Sequence, residues 1–102
     1  MTLTDLYNLL LTTGMPVAYD HFPDQELVVP PCITYNVAFT HNFGADNKVF
    51  SPFTRVDIHL YEKFKDGSEE LVEEALQDIF WDKTETYESG EKVYHITYEV
   101  NL

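Results

Sequence analysis

The residues of this 102-residue chain that could do chemistry are four histidines, eighteen acids and one cysteine. His59 and His95 sit on the polar sides of two alternating stretches, near Asp57 and Glu99, while His21 and His41 stand apart. If the two stretches pair as strands, two histidines and a carboxylate come close enough to hold a metal ion. The spacing matches no metal motif, and histidines on a polar sheet face are ordinary, so no metal and no cofactor is expected. Acid pairs are plentiful. Glycosidase-type work, however, needs two carboxylates facing one cleft with pKa values pushed apart, and a small sheet with two helices has little room for such a cleft. Cys32 follows Pro30-Pro31 in an apolar run without a neighbouring cation or histidine, which reads as a buried structural thiol. There is no nucleophile elbow, phosphate loop or dinucleotide fingerprint. The expectation is a protein without catalysis.

The elements that would position these residues follow from periodicity. Leu6, Leu9 and Leu10 predict a helix from about Asp5 to Thr13, with Thr4 as its cap, Leu3 just ahead and Gly14 and Pro16 as its stop. Val17 to Phe22 is a short strand candidate, and the proline-rich segment Pro23 to Pro31 is a connector. Cys32 to Phe39 alternates, with Ile33, Tyr35, Val37 and Phe39 on one face. Thr54 to Phe64 alternates as well, Val56, Ile58 and Leu60 against Arg55, Asp57, His59 and Tyr61. A second helix is predicted from about Ser68 to Trp81, with Asp66 as its cap. Its apolar stripe is Leu71, Val72, Ala75, Leu76, Ile79 and Phe80, and its acidic face carries Glu69, Glu70, Glu73 and Glu74. Lys83 to Tyr87 and Val93 to Asn101 close the order α-β-β-β-α-β-β. The predicted fold is one α+β domain over residues 1–102. A mostly antiparallel sheet of about four to five strands carries both helices on one face.

Composition narrows the partners. The hydrophobic share of 44% is too high for a disordered chain. No stretch approaches the ~20 apolar residues of a membrane span, and Met1 to Asp5 lacks the basic start of a signal peptide. Eighteen acids face six bases, and the excess is uneven: five acids and two bases over 1–56 (−3), thirteen and four over 57–102 (−9). Affinity for nucleic acid comes from neutralising phosphates with Lys and Arg, so neither stable nucleic-acid binding nor an anionic membrane is expected. Seven Tyr and seven Phe lack the basic groove that a base-stacking platform needs, and packing accounts for them better. Glu69 with Glu73 and Glu70 with Glu74 repel at i,i+4, so this face is either solvated or meets something basic. The segment His41 to Pro52 is long for a connection between neighbouring strands and carries Phe43, Val49 and Phe50, with Asp46 and Asn47 suited to its tip. It is expected to be an interaction arm. The candidate assembly interface is therefore Phe43, Asp46, Asn47, Val49, Phe50, Glu70, Glu73 and Glu74.

With these residues laid out, the chain resembles the tail terminator and head–tail joining proteins of long-tailed bacteriophages and prophages of Gram-positive bacteria. The resemblance rests on Pro30 to Tyr35, on Phe43 to Val49, on the strand Val56 to Tyr61 running into an acidic helix, and on Lys83 to Tyr87 with Tyr94 to Glu99. It implies a non-enzymatic ring subunit, commonly hexameric. Such a ring caps the tail tube, joins it to the head connector protein, and resides in the virion after assembly in the host cytoplasm. The alternative is an acidic DNA mimic or inhibitor that binds a basic host enzyme.

Overall fold

The computed structural model describes residues 1–23, 28–45 and 48–102, and the side chains of 41–53 lie outside that description. Its elements are α1 (Leu3–Leu11), β1 (Val17–Tyr19), β2 (Cys32–Ala45), β3 (Lys48–Glu62), α2 (Ser68–Ala75), β4 (Trp81–Glu88) and β5 (Val93–Asn101). The strands form one five-stranded sheet in the order β1-β2-β3-β5-β4. β1 runs parallel to β2, and every other neighbouring pair is antiparallel. The class is α+β, in the element order read from periodicity.

Helix α1 starts earlier than the leucine spacing predicts. Thr2 is its cap, not Thr4. The Thr2 hydroxyl accepts from the Asp5 amide at 3.1 Å while the Asp5 carboxylate accepts from the Thr2 amide at 2.9 Å. This reciprocal pair satisfies two amides at the helix start, and it holds the Asp5 carboxyl below its usual range through the Thr2 backbone bond. Thr4 then falls within the first turn. Gly14, at φ +83°, turns the chain out of the helix as expected.

Helix α2 is shorter than predicted, ending at Ala75 instead of Trp81. The chain must reverse there, because Trp81 is laid down opposite Val100 as the first residue of an edge strand. Asp66 does accept from the Ser68 amide and hydroxyl, at 3.2 and 2.6 Å, but Gly67 occupies the cap position at φ +94°. The apolar stripe narrows accordingly. Val72 and Leu76 are fully buried, whereas Leu71 is half-exposed and Phe80 is 99% exposed.

The core lies between the helices and one sheet face. Ile33 and Tyr35 of β2, Val56, Ile58 and Leu60 of β3, and Ile96, Tyr98 and Val100 of β5 pack with Leu6 and Leu10 of α1 and with Val72 and Leu76 of α2. Both helices therefore cover the same face. The opposite face, bearing Arg55, Asp57, His59, His95, Thr97 and Glu99, is only half-buried, as the alternation predicts. One residue departs from the pattern. A bulge at Ala38 inserts an extra residue into β2, so Phe39 comes to lie opposite Arg55 instead of continuing the Ile33–Tyr35–Val37 row. A one-residue insertion moves every later side chain to the other face.

Leu76→Ala is expected to cost about 2–5 kcal/mol in chemical denaturation, because it empties a fully buried site beneath α2. Phe80→Ser, at an exposed position, is expected to change stability by less than about 0.5 kcal/mol.

Candidate assembly interface

The segment His41 to Pro52 is not a long loop. Its two halves continue β2 and β3, with His41 opposite Phe53, Asn42 opposite Pro52, Gly44 opposite Val49 and Ala45 opposite Lys48. The pairing of the two strands runs on past the irregularities at the Val37/Phe39 and Asn42/Gly44 steps as far as Ala45 and Lys48. β1 covers β2 only from Ile33 to Tyr35, and β5 covers β3 only from Arg55 to Glu62. From His41 and Phe53 onward the hairpin has no third strand among the described residues. At about 3.4 Å per residue it projects roughly 17 Å past the sheet. The molecule is accordingly elongated, 50 Å along its main axis against 28 and 23 Å across. Phe43, Val49 and Phe50 lie on the backbone of this hairpin, and Asp46 and Asn47 lie outside the described residues.

The acidic face of α2 is more selective than its sequence predicts. Glu70 and Glu74 are exposed, but Glu73 turns inward. Its carboxylate accepts from the Tyr98 hydroxyl at 2.9 Å and from Lys83 Nζ at 3.0 Å. Lys83 also reaches Glu69 at 3.2 Å, so the repelling Glu69–Glu73 pair is bridged by one ammonium. The bonds to Glu73 and Glu69 raise the Lys83 pKa above its ordinary value. Burial and the hydrogen bond to Glu73 raise that of Tyr98. Glu73 is thus a structural ligand of β4 and β5, and of the three helix acids predicted for the interface only Glu70 and Glu74 face outward. The hairpin and α2 are not one patch, because β3 runs between them from Lys48, at the far end of the hairpin, to Glu62, just before α2.

The polar sheet face carries a continuous hydrogen-bond chain. Asn36 Oδ1 meets His59 Nε2 at 2.8 Å, His59 Nδ1 meets His95 Nε2 at 2.8 Å, and His95 Nδ1 meets Glu88 Oε1 at 2.9 Å. The Tyr61 ring stacks on His95 with centroids 4.7 Å apart. Burial, with His95 alongside, pushes the His59 pKa down. The two histidines do come together, as strand pairing predicts, but they bond to each other. Among the described residues no group of three or more His, Cys, Asp or Glu is placed to hold a metal ion. The sequence reading missed Asn36 and Glu88 as partners, since neither carries a local signal and only register brings them in. Arg55 forms ion pairs with Glu99 and, at 3.5 Å, with Asp57. Beside the chain lies a cleft of about 390 Å³ whose lining includes Phe22, Cys32, Thr34, Tyr61 and Val93. Cys32 is buried, and burial pushes its thiol pKa up.

Glu62 was also missed, although parity with Val56, Ile58 and Leu60 places it on the core face. It is fully buried, and neither carboxylate oxygen meets a hydrogen-bond donor. Lys65 Nζ lies 3.6 Å away. Burial, with Glu69 alongside, pushes its pKa up to about 7. A proton on Glu62 supplies the donor that two adjacent carboxylates lack.

No family model matches the chain, and no curated protein shows significant sequence similarity to it. No helix among the described residues is long and apolar enough to cross a membrane.

Glu62 gives the protein a pH dependence with a definite sign. Its folded pKa of about 7 stands above the ordinary 4.5, so its contribution is fully present below pH 4.5 and is lost as pH rises to about 7. The loss amounts to at most about 3 kcal/mol. Glu62→Gln cannot ionise. Urea melts should show the variant about 1–3 kcal/mol more stable relative to wild type at pH 8 than at pH 4.5. Parallel wild-type and variant curves across this range would contradict the buried-carboxyl account.

Proposed function

We propose that the chain is a non-enzymatic assembly subunit, a tail terminator-like ring component that caps a phage tail tube and meets the head connector. The observation that supports this reading best is the β2–β3 hairpin, which leaves the sheet without a third strand among the described residues. A two-stranded ribbon has little independent stability in water, and a second surface that covers it supplies what the sheet does not. The residues Phe43, Val49, Phe50 and Phe53 in its sequence are of the kind that interface cores use. The acidity fits the same role. A six-fold ring of chains at −12 each would present a strongly negative wall, along which DNA passes without the counterion-releasing contacts that make it stick. Three of the six bases, Arg55, Lys65 and Lys83, are each held between two or more carboxylates of the same chain, so they offer little to a phosphate backbone.

The test pairs two readouts. Phe43→Ser with Phe50→Ser should leave the thermal transition within a few degrees of wild type while abolishing capping, seen by electron microscopy as overlong or headless tails. A double variant that unfolds would make the hairpin part of the core, and one that yields normal particles would remove it from the interface. A chain that instead binds a purified basic restriction enzyme or polymerase, and never a tail tube, would support the DNA-mimic alternative.

A further inference from the structure

We infer that β4 is the docking edge for β4 of a second copy of this chain, joined about a two-fold axis through Thr84. β4 is the outermost strand on its side of the sheet, and among the described residues it pairs only with β5. Its register against β5 is unbroken from Trp81–Val100 to Glu88–Val93, without proline or bulge. From Asp82 to Tyr87 every residue is exposed. An eight-residue edge of this kind presents a row of unpaired amides and carbonyls, a template for another strand.

Symmetry and charge select both the occupant and the register. When a strand pairs antiparallel with its own copy, directly opposed residues both turn their backbone groups toward the seam or both away from it. Opposed positions therefore share parity, and the axis passes through a residue. With the axis at Lys83, two ammonium groups oppose each other. With the axis at Glu85, Glu85 opposes Glu85 and Asp82 opposes Glu88. With the axis at Thr84, Lys83 opposes Glu85, Trp81 opposes Tyr87 and Asp82 opposes Thr86, each twice by symmetry, while Thr84 meets Thr84. Opposite-charge, aromatic and Thr–Thr pairs are the favourable cross-strand combinations, and like charges directly opposed are unfavourable. Of these three registers only the central one is free of like-charge opposition, and it alone sets Lys83 against an acid. The same charges that turn away unrelated strands thus accept this one.

Lys83 and Glu85 are bonded within the chain, to α2 and to Lys65, yet their side chains remain 34% and 43% exposed and can face a partner as well. The contact is isologous, each copy offering the same surface, so it is separate from any head-to-tail contact that would close a ring. It holds whether or not the ring reading does.

The experiment is sedimentation equilibrium on the full chain from micromolar to millimolar concentration. A salt of about 0.15 M confines the mutual repulsion of the acidic chains to about 8 Å. Wild type should dimerise reversibly. Lys83→Glu and Glu85→Lys should each weaken the dimer about tenfold or more, since each turns both charge pairs repulsive. An equimolar mixture of the two variants should associate again, because every opposed pair in the mixed dimer is attractive. Recovery in the mixture also shows that neither variant failed merely by misfolding. Thr84→Cys should form a disulfide-linked dimer under mild oxidation, with Cys32 buried and out of reach. A wild type that stays monomeric, a mixture no better than its components, or no cross-link through residue 84 would each overturn the proposal. A ring untouched by both charge reversals would support the ring reading and sink this one.

Discussion

A strand with a neighbour on each side must satisfy two faces at once, and β3 is the strand on which this demand falls hardest. Val56, Ile58 and Leu60 fill the centre of the core and are fully buried. The residues that alternate with them, Arg55, Asp57 and His59, are polar and still half-buried, so each needs a partner. β2 supplies Asn36, and β5 supplies His95 and Glu99. The register that buries the apolar row is the register that assembles the polar chain, and a slip of one residue would destroy both. The strand continues in both directions beyond this region. Toward its start it leaves the sheet as half of the hairpin. At its end the inward parity runs one residue too far and buries the carboxyl of Glu62.

The scarcity of cations shapes what surrounds that strand. Lys65 pairs with Glu62, Glu69 and Glu85, and Lys83 pairs with Glu69 and Glu73. These two ammonium groups tie α2 to the edge strand β4, where an all-acidic arrangement would push helix and sheet apart. The Lys65 pKa is raised by the hydrogen bonds to Glu69 and Glu85, so it stays charged throughout the working range of the protein. The acids with no such tie, Glu70 and Glu74, look outward. The negative surface is therefore the remainder after internal needs are met.

The sheet is closed by packing on one face and left open at its margins. The hairpin passes beyond β1 and β5, and β4 stands at the rim with its outer backbone groups free among the described residues. Proteins that act alone usually blunt such edges with proline, bulges or covering loops. Here the register shifts lie in the β2–β3 ladder, at the Val37/Phe39 and Asn42/Gly44 steps, and the β4–β5 ladder has none. Among the described residues the sheet thus keeps two margins uncovered.

Local pattern by itself determined the element order, the α+β class, the parity of β3 and β5 and the burial of Leu6, Leu10, Val72 and Leu76. These depend on the period of one or two turns or strand steps, which a short window contains. The sequence also placed His59 and His95 on one polar face. Their mutual hydrogen bond, and the recruitment of Asn36 and Glu88, belong to the tertiary structure, because register relates residues far apart in the chain. The end of α2 at Ala75 was decided in the same way: the helical stripe runs on to Phe80, but β5 required Trp81 as a strand partner for Val100, and sheet pairing outweighed periodicity. The bulge that turned Phe39 across the sheet and the inward swing of Glu73 have the same origin. Each is a response to a neighbour that the linear sequence does not bring near, and the energy of that contact exceeds the local preference it overrides.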